Sequence, residues 1–267
     1  MTSTSMNHQW QAEDYHQNSS VQSKAAADLL RALCLKGTEH VLDVGCGDGK
    51  ITVTIAASLP KGSIIGIDNS PDMIKFAREL FPHSHYSNLT FLLQDASEFN
   101  HSNRFDIVFS SFALQWLPVP DLFFERVYHG LKPSGYMAVT VPLGISLELE
   151  KAIAATTSTK EWSKYFEDFS PTWHFCTERK YRESLTKYPF DLIQFSAIYQ
   201  TEIFPSKLDF KNYIITWFTY LHAVPEHLRE AFMTEIIDKY LEMVPLEDER
   251  VRFGFQRLDF IVQKPTL

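Results

Sequence analysis

The sequence is poor in cysteine, in long apolar runs and in basic residues. Its 267 residues include three cysteines, Cys34, Cys46 and Cys176, which lie far apart and are odd in number. That spacing provides neither a disulfide framework nor a set of metal ligands. No apolar run approaches the roughly 20 residues that a membrane-spanning helix needs. The net charge of −8 argues against a protein that follows the phosphates of a nucleic acid.

Residues 1–9 are polar and contain no apolar segment, which predicts a disordered tail and not a signal peptide. We therefore expect a cytoplasmic protein with reduced cysteines and no bound metal, and with neither membrane nor nucleic acid as a partner. Apolar residues make up 45% of the chain, which is ordinary for a globular protein of one or two domains. The composition leaves open whether it is a monomer or a homodimer.

The stretch that organises the chain reads Val-Leu-Asp-Val-Gly-Cys-Gly-Asp-Gly over residues 41–49. A short apolar strand at 41–44 is followed by glycines at every second position, and a helical pattern then begins at Lys50. A strand, a glycine turn and a helix in this order are typical of an open α/β sheet that presents its backbone to a small ligand. Glycine permits the sharp turn and lets a ligand reach the backbone where a Cβ would block it.

Strands and helices alternate over residues 10–145, which predicts a parallel sheet with helices on both faces. Two later strands, 191–206 and 249–264, would complete a Rossmann-like α/β sheet of seven strands, with the last strand antiparallel. The segments 146–190 and 207–248 have helical, aromatic-rich patterns. We expect them to form a helical cap that surrounds the substrate.

An acidic residue lies at or near the end of each of the first three predicted strands: Asp43 lies within the first, Asp68 closes the second and Asp95 follows the third. A dinucleotide loop usually has a third glycine three residues after the second, but that position is Lys50 here. An acid at the end of the second strand is placed to accept hydrogen bonds from both ribose hydroxyls. Asp95 is similarly placed for an adenine amino group. The pattern predicts a nucleoside site without a pyrophosphate.

With these residues the sequence resembles the class I S-adenosyl-L-methionine-dependent methyltransferases. The resemblance covers residues 10–142 and rests on five segments in order: Asp43–Gly49, Gly66–Met73, Gln94–Ala96, Phe105–Ser110 and Leu131–Gly135. It implies an enzyme that uses S-adenosylmethionine as its cofactor. A non-catalytic protein that binds this cofactor is the alternative of another class, and the intact glycines and acids argue against it. The missing Tyr-x-x-x-Lys pair near the fifth strand disfavours an NAD-dependent reductase.

The resemblance also implies which residues contact the cofactor. The glycine loop would face the methionine part, Asp68 the ribose and Asp95 the adenine edge, with Ser110 or Ser111 near the sulfonium. Asp43 could accept from an ammonium or hold the loop through backbone donors. The full set is Tyr15, Asp43, Gly45, Cys46, Gly47, Gly49, Asp68, Asn69, Met73, Asp95, Ala96 and Ser110. Purely structural roles remain open as alternatives to cofactor binding: a core position for Met73, a helix cap at Asn69 and an anchoring role for Tyr15.

The exit of the fourth strand, Ser110–Trp116, contains no Asp, Glu, His or Lys that could act as a base. A carboxylate is already a nucleophile at neutral pH, whereas a phenol or an ammonium must first lose a proton. The exit therefore favours a carboxylate acceptor. A phenol, amine or carbon acceptor stays open, because the cap could supply a base from His174 or His222.

The segment Ala113–Pro118 resembles small-molecule carboxyl methyltransferases, among them the trans-aconitate, malonyl-carrier-protein and juvenile hormone acid enzymes. In the last of these, an N-terminal Gln and the Trp of this segment are thought to bind the substrate carboxylate. The matching residues are Gln22 and Trp116, whose amide and indole N–H groups are suitable donors. A core position for Trp116 and a solvated helix start for Gln22 are the alternatives.

The aromatic residues of the cap predict a largely apolar pocket, suited to a lipophilic or acyl-chain acid, free or linked to a carrier protein. They are Trp162, Phe166, Phe169, Trp173, Phe175, Trp217 and Tyr220. A tricarboxylate would demand several Arg or Lys side chains. The basic cluster at 179–182 is more typical of a solvated face.

Overall fold

A computed structural model of the chain describes residues 10–266, so the predicted tail at 1–9 lies outside the described residues. Within that part, seven strands form one sheet in the order β3-β2-β1-β4-β5-β7-β6. The strands are β1 His40–Val44, β2 Ser63–Asp68, β3 Leu89–Leu93, β4 Phe105–Ser111, β5 Leu131–Pro142, β6 Asp191–Phe204 and β7 Val251–Gln263. The pairs from β3 to β5 are parallel, and β7 runs antiparallel to both of its neighbours. The predicted sheet is confirmed.

Helices connect the strands and build the cap. They are α1 Ala12–Asn18, α2 Ser20–Leu33, α3 Lys50–Ala57, α4 Pro71–Leu80, α5 Pro120–Gly130, α6 Leu147–Thr157, α7 Glu178–Leu185, α8 Lys207–Ile215 and α9 Glu226–Met243. The start of α4 shows the local chemistry: Pro71 takes the first turn, and the Ser70 hydroxyl accepts a hydrogen bond from the Met73 N–H at 3.3 Å. Ser70, and not its neighbour Asn69, therefore caps this helix.

Both faces of the sheet are covered because strand side chains alternate between them. Val41 belongs to a buried cluster with α2, α3 and α4, whereas the next residue, Leu42, belongs to a cluster with α5 and α7. The strands thus read as apolar on both faces, as buried parallel strands do.

A third buried cluster forms the cap, where α6, α8 and α9 pack around aromatic side chains such as Phe210 and Phe232. The first half of β7 contributes Phe253 and Phe255 to this cluster. Helix α7 falls within the predicted cap segment 146–190 but packs against the sheet beside α5, through Tyr181 and Leu185. The cap and the sheet therefore share β7.

Helix α1 crosses the edge of the sheet where the parallel strands end, and it contacts both α4 and α8. Its sequence, Ala-Glu-Asp-Tyr-His-Gln-Asn, has no buried residue, and no helix was predicted there because it lacks an apolar stripe. The helix connects the side of the edge beside α4 with the cap.

Candidate active site

The glycine loop lies at the carboxyl end of β1, and its three glycines have φ angles of +75°, +52° and +81°. A Cβ on Gly45 would lie 2.2 Å from the Ala113 Cβ, and one on Gly49 would lie 2.6 Å from the Phe91 ring. Those two glycines are needed for close packing. A Cβ on Gly47 would meet only the Tyr15 ring, at 3.8 Å, so this is the open side of the loop.

Asp68 holds the loop from the end of β2. Its carboxylate accepts hydrogen bonds from the N–H groups of Gly47 at 3.0 Å and Ser70 at 2.9 Å, one at each oxygen. Burial raises the pKa of Asp68, and these backbone hydrogen bonds oppose the rise. An ionised carboxylate has about four acceptor positions, so both oxygens can still accept from a ligand.

Asp43 is buried in β1, with only 2% of its surface exposed. It accepts a hydrogen bond from the Thr52 hydroxyl of α3 at 2.7 Å, which ties the strand before the loop to the helix after it. Burial raises the pKa of Asp43 to about 7 against the effect of the Thr52 hydrogen bond, and the nearby Asp68 and Asp48 raise it further. The Cys46 side chain is also buried, and its backbone N–H donates to the Ile67 carbonyl oxygen at 3.0 Å.

The predicted adenine-binding residues surround the ends of β2 and β3. Asp95 is half-buried and accepts from the N–H and the hydroxyl of Ser97, at 2.7 and 2.6 Å. Ala96 is half-buried, Asn69 is exposed and Met73 is buried on α4. The Gln94 N–H donates to the Asp68 carbonyl oxygen at 2.9 Å, so the two strand ends meet.

Ser110 lies inside the sheet, where its hydroxyl donates to the Val44 carbonyl oxygen at 2.9 Å. The next hydroxyl, that of Ser111, is buried without a hydrogen-bond partner among residues 10–266. Phe112 then takes a left-handed φ of +52°, which is rare for a bulky residue. This turn directs the following short helical segment, which contains Trp116, across the edge of the sheet.

Helix α1 closes over the loop through polar contacts. The His16 Nδ1 lies 2.7 Å from an Asp48 carboxylate oxygen, and the Lys50 ammonium donates to the His16 carbonyl oxygen. Tyr15 lies beside Gly47, and burial raises the pKa of its hydroxyl. The Trp10 ring makes edge contacts with Tyr15 at 5.4 Å and with Trp116 at 5.2 Å, measured between centroids. The start of the described chain thus joins the loop to the Trp116 segment.

A cavity of about 50 Å³ lies between this edge and the cap. Its walls are Trp10, Tyr15, Gln22, Phe112, Gln115, Trp116, Pro142, Gly144, Ile145, Trp173, Phe175, Tyr213, Trp217, Phe253 and Phe255. Among the described residues, none that lines this cavity carries a charge. Pockets that hold drug-sized ligands usually measure about 300 Å³ or more, so the walls would have to move apart for such a ligand.

The cavity brings together residues that the sequence places far apart. Gln22, Trp116 and Tyr15 line it, as do Trp173, Phe175 and Trp217 of the predicted aromatic pocket. The other predicted aromatic residues lie elsewhere in the cap: Trp162, for example, is buried and donates its indole N–H to Glu235 at 2.6 Å.

Sequence reasoning missed several walls, chiefly Phe253 and Phe255 on β7 and Pro142 at the end of β5. The alternation of Phe253 and Phe255 indicated that they share a face, but not that this face meets the cap. Gln115 was also missed. The side-chain oxygens of Gln22 and Gln115 are buried and have no hydrogen-bond partner among the described residues. Both atoms are acceptors, so they would meet a hydrogen-bond donor of a ligand, whereas a carboxylate would be bound by the NH2 group of the same amide.

Neither candidate base lines the cavity. His174 is exposed, and its backbone N–H donates to the Gln115 carbonyl oxygen at 2.6 Å. His222 is half-buried, and burial with the nearby Arg229 lowers its pKa. Among residues 10–266 no three His, Cys, Asp or Glu side chains are grouped so that they could hold a metal ion, and no helix has the length and apolarity to cross a membrane.

Comparisons with known proteins bear on the family and on the fold. A family model described as a methyltransferase domain matches residues 35–201. Trans-aconitate 2-methyltransferase of Deinococcus radiodurans is 28% identical, over 97% of this chain and 99% of that protein. A putative methyltransferase of Bacillus halodurans has a solved structure with a TM-score of 0.62 and 20% identity, covering 91% of this chain and all of that one. Phosphoethanolamine N-methyltransferase 2 of Haemonchus contortus, solved with S-adenosyl-L-methionine, has a TM-score of 0.60 and 18% identity, covering 96% of this chain and 57% of that one.

Proposed function

The chain belongs to the methyltransferase domain family, and from that membership we propose that it transfers the methyl group of S-adenosylmethionine to the carboxylate of a lipophilic small-molecule acid. The product would be a methyl ester. The observation that carries the acceptor class is the uncharged cavity of aromatic and amide side chains at the edge of the sheet that carries the glycine loop.

The residues at the strand ends fit the cofactor. Asp68 keeps acceptor positions for a ribose diol beyond its two backbone donors. The open side of Gly47 offers backbone to the methionine part, and the loop lacks the third glycine that a pyrophosphate usually requires. Asp95 and Ala96 would meet the adenine. Asp43, whose raised pKa reflects its burial, would gain from a cationic ammonium nearby.

The acceptor side would work by alignment in a dry cavity. When bound, S-adenosylmethionine supplies a methyl group on a sulfonium; the carboxylate oxygen forms the new C–O bond while the C–S bond breaks and sulfur keeps the electron pair. The Gln22 amide and the Trp116 indole N–H would each donate to the carboxylate and fix its orientation. Such alignment can lower a barrier by about 7–11 kcal/mol.

The absence of charge among the described walls of the cavity suits this reaction in particular. An anion and a cation react to give two neutral products, so charge disappears along the path, and a low-dielectric environment favours that change over water. A neutral amine or phenol gains less from a low dielectric, and an ammonium or a phenol must first lose a proton. The hydroxyls of Tyr15 and Tyr213, which line the cavity, have pKa values that burial raises, so they stay protonated at neutral pH and cannot take up a proton.

The same cavity argues against trans-aconitate itself, the acid named for the relative in Deinococcus radiodurans. That acid carries three carboxylates, and burying each one without a cationic partner costs several kcal/mol by general estimates. No Arg, Lys or His of the described chain lines the cavity. We therefore propose a monocarboxylic acid with an apolar chain, either free or presented by a carrier protein.

A panel of acceptors with methyl-labelled S-adenosylmethionine tests this proposal. The panel contains fatty and isoprenoid monoacids, trans-aconitate, a simple phenol and a primary amine, and mass spectrometry identifies the product. We expect methyl esters of monoacids and at least about tenfold less product from trans-aconitate, given the cost of its unpaired carboxylates. Labelling of only the phenol or the amine would contradict the carboxylate proposal. Binding of the cofactor without any methylated acceptor would favour a non-catalytic partner protein.

A further inference from the structure

A cluster of buried charged residues adjoins the acceptor cavity on the same face of β7. Phe253, Phe255, Arg257 and Asp259 follow one another at every second position, so their side chains share that face. The first two line the cavity, whereas Arg257 and Asp259 are only 3% and 2% exposed. Across the pairing with β5, Arg257 lies opposite the cavity residue Pro142. The cluster is therefore the next layer behind the cavity wall.

The Arg257 guanidinium connects three elements. Its Nη1 donates to the Gln200 amide oxygen of β6 at 2.7 Å, and its Nη2 donates to the carboxylates of Asp28 on α2 and Asp259 on β7, both at 3.1 Å. Asp259 in turn accepts from the Thr140 hydroxyl of β5 at 2.6 Å. Asp28 is also paired with Arg31 on its own helix. One buried cation thus fixes α2 to the antiparallel end of the sheet.

A second contact holds the same helix one turn earlier. The Lys24 ammonium donates to a Glu202 carboxylate oxygen at 2.6 Å, and the other oxygen of Glu202 accepts from the Gln200 amide at 2.7 Å. Lys24 and Asp28 are four residues apart and so lie on one face of α2. Two successive turns are held by a single polar network. A buried ionic network often stabilises no more than apolar packing of similar volume, but its directed hydrogen bonds fix one relative position.

That position matters for Gln22, which lies two residues before Lys24 on α2. Gln22 is 4% exposed, lines the cavity and has an unpaired side-chain oxygen among the described residues. We propose that the Arg257 network is a positioning device for the acceptor, which sets the rotation of α2 so that the Gln22 amide faces the cavity. Arg257, Asp28 and Lys24 are positioning residues and do not touch the substrate. The proposal rests on the proposed function in one respect, namely that the ligand bound by Gln22 is the methyl acceptor.

Two variants test the device: Arg257→Lys, which keeps the charge but loses the fork of donors, and Asp28→Asn. We expect the KM for the acceptor to rise on the order of tenfold, because a small misplacement of a group that positions the substrate has a large effect. The dissociation constant for S-adenosylmethionine should change less than twofold, and amide hydrogen exchange should speed up at residues 20–24. Asp238→Asn is the matched control, because this exposed carboxylate pairs with Lys207 on α8, away from α2.

A double-mutant cycle separates positioning from general stability. If Arg257 acts through Gln22, Arg257→Lys should add little to the KM effect of Gln22→Ala. Additive effects, or unchanged exchange at residues 20–24, would overturn the proposal. Should Arg257→Lys fail to fold, Lys24→Met gives the same test, because that side chain is 64% exposed. The kinetics use whichever acceptor of the panel is methylated, and exchange needs none, so absence of any methylated acid overturns only the proposed function.

Discussion

The two sides of the candidate active site are built from different kinds of side chain. The cofactor side consists of carboxylates at strand ends, such as Asp43 and Asp68, held by backbone N–H groups or by a hydroxyl. The acceptor side consists of aromatic rings and two amides without a charge among its described walls. In the proposed reaction, the first side would recognise the cofactor chiefly by hydrogen bonds, whereas the second would select the acceptor chiefly by shape and apolarity. Four substitutions test whether the two sides differ in this way.

The largest effect is expected on the cofactor side, from Asp68→Ala. The variant removes the acceptor for a ribose diol and also releases the N–H groups of Gly47 and Ser70. Hydrogen bonds to charged groups contribute about 1.5–3 kcal/mol each, so affinity for S-adenosylmethionine should fall on the order of a thousandfold in isothermal titration. Asp106→Ala is the control, because that carboxylate binds Lys132 and the His40 N–H at the start of β4. Equal losses in both variants would contradict a specific role for Asp68.

Asp43 should make the ligand-free protein less stable as pH rises. Its folded-state pKa of about 7 lies above its unfolded value, so the folded state binds the extra proton and stability falls between about pH 4 and 7. The whole range amounts to about 4 kcal/mol at most. Denaturant unfolding of Asp43→Asn, whose amide oxygen can still accept from Thr52, should lose this slope.

Asp106 should show the opposite dependence of stability on pH and therefore serves as a control for that measurement. Burial works against it, but the His40 N–H and Lys132 lower its pKa, so its contribution is lost as pH falls. Asp106→Asn should therefore remove a loss of stability at acidic pH. Parallel pH profiles for wild type and Asp43→Asn would show that Asp43 does not titrate as its burial indicates.

Gly45→Ala should destabilise the fold by about 2 kcal/mol or more, because a left-handed φ is strained for alanine and its Cβ would lie 2.2 Å from Ala113. Adding Ala113→Gly should recover the part of the loss that comes from this contact. Gly144→Ala is the matched stability control, since nothing lies within 4 Å of its Cβ. Thermal unfolding measures all four proteins. A neutral Gly45→Ala would mean that the loop is looser than its packing suggests.

The smallest effect is expected on the acceptor side, from Trp116→Phe. The ring that contacts Trp10 is largely kept, but the indole N–H is lost, so the KM for the acid should rise about tenfold, as for one hydrogen bond to a charged group. Affinity for S-adenosylmethionine should stay within about twofold, because the other hydrogen bonds to the cofactor remain. Trp162→Phe removes an indole N–H outside the cavity and should leave the KM unchanged. If Trp162→Phe has the larger effect on KM, Trp116 does not bind the carboxylate.

The two sides also differ in how far the sequence predicts them. The sheet and the carboxylates at its edge follow from local patterns: apolar runs, glycine spacing and an acid at each strand end. Gln22 and Trp116 line a common cavity, but their roles came from a resemblance and remain predictions. Phe253 and Phe255 could not be placed, because their contact with the cap depends on an antiparallel strand at the far end of the chain. Helix α1 was not predicted because none of its residues is fully buried and it has no apolar stripe.

The contact between Gly45 and Ala113 has a mechanical consequence. These residues belong to the glycine loop and to the turn that leads into the Trp116 segment, and they lie so close that a methyl group on residue 45 would not fit. Neither residue can move toward the other without a clash, so the loop and the turn keep one relative position. The position of the short helical segment with Trp116 is therefore fixed relative to the glycine loop, and a single methyl group added at residue 45 would change the distance between the two.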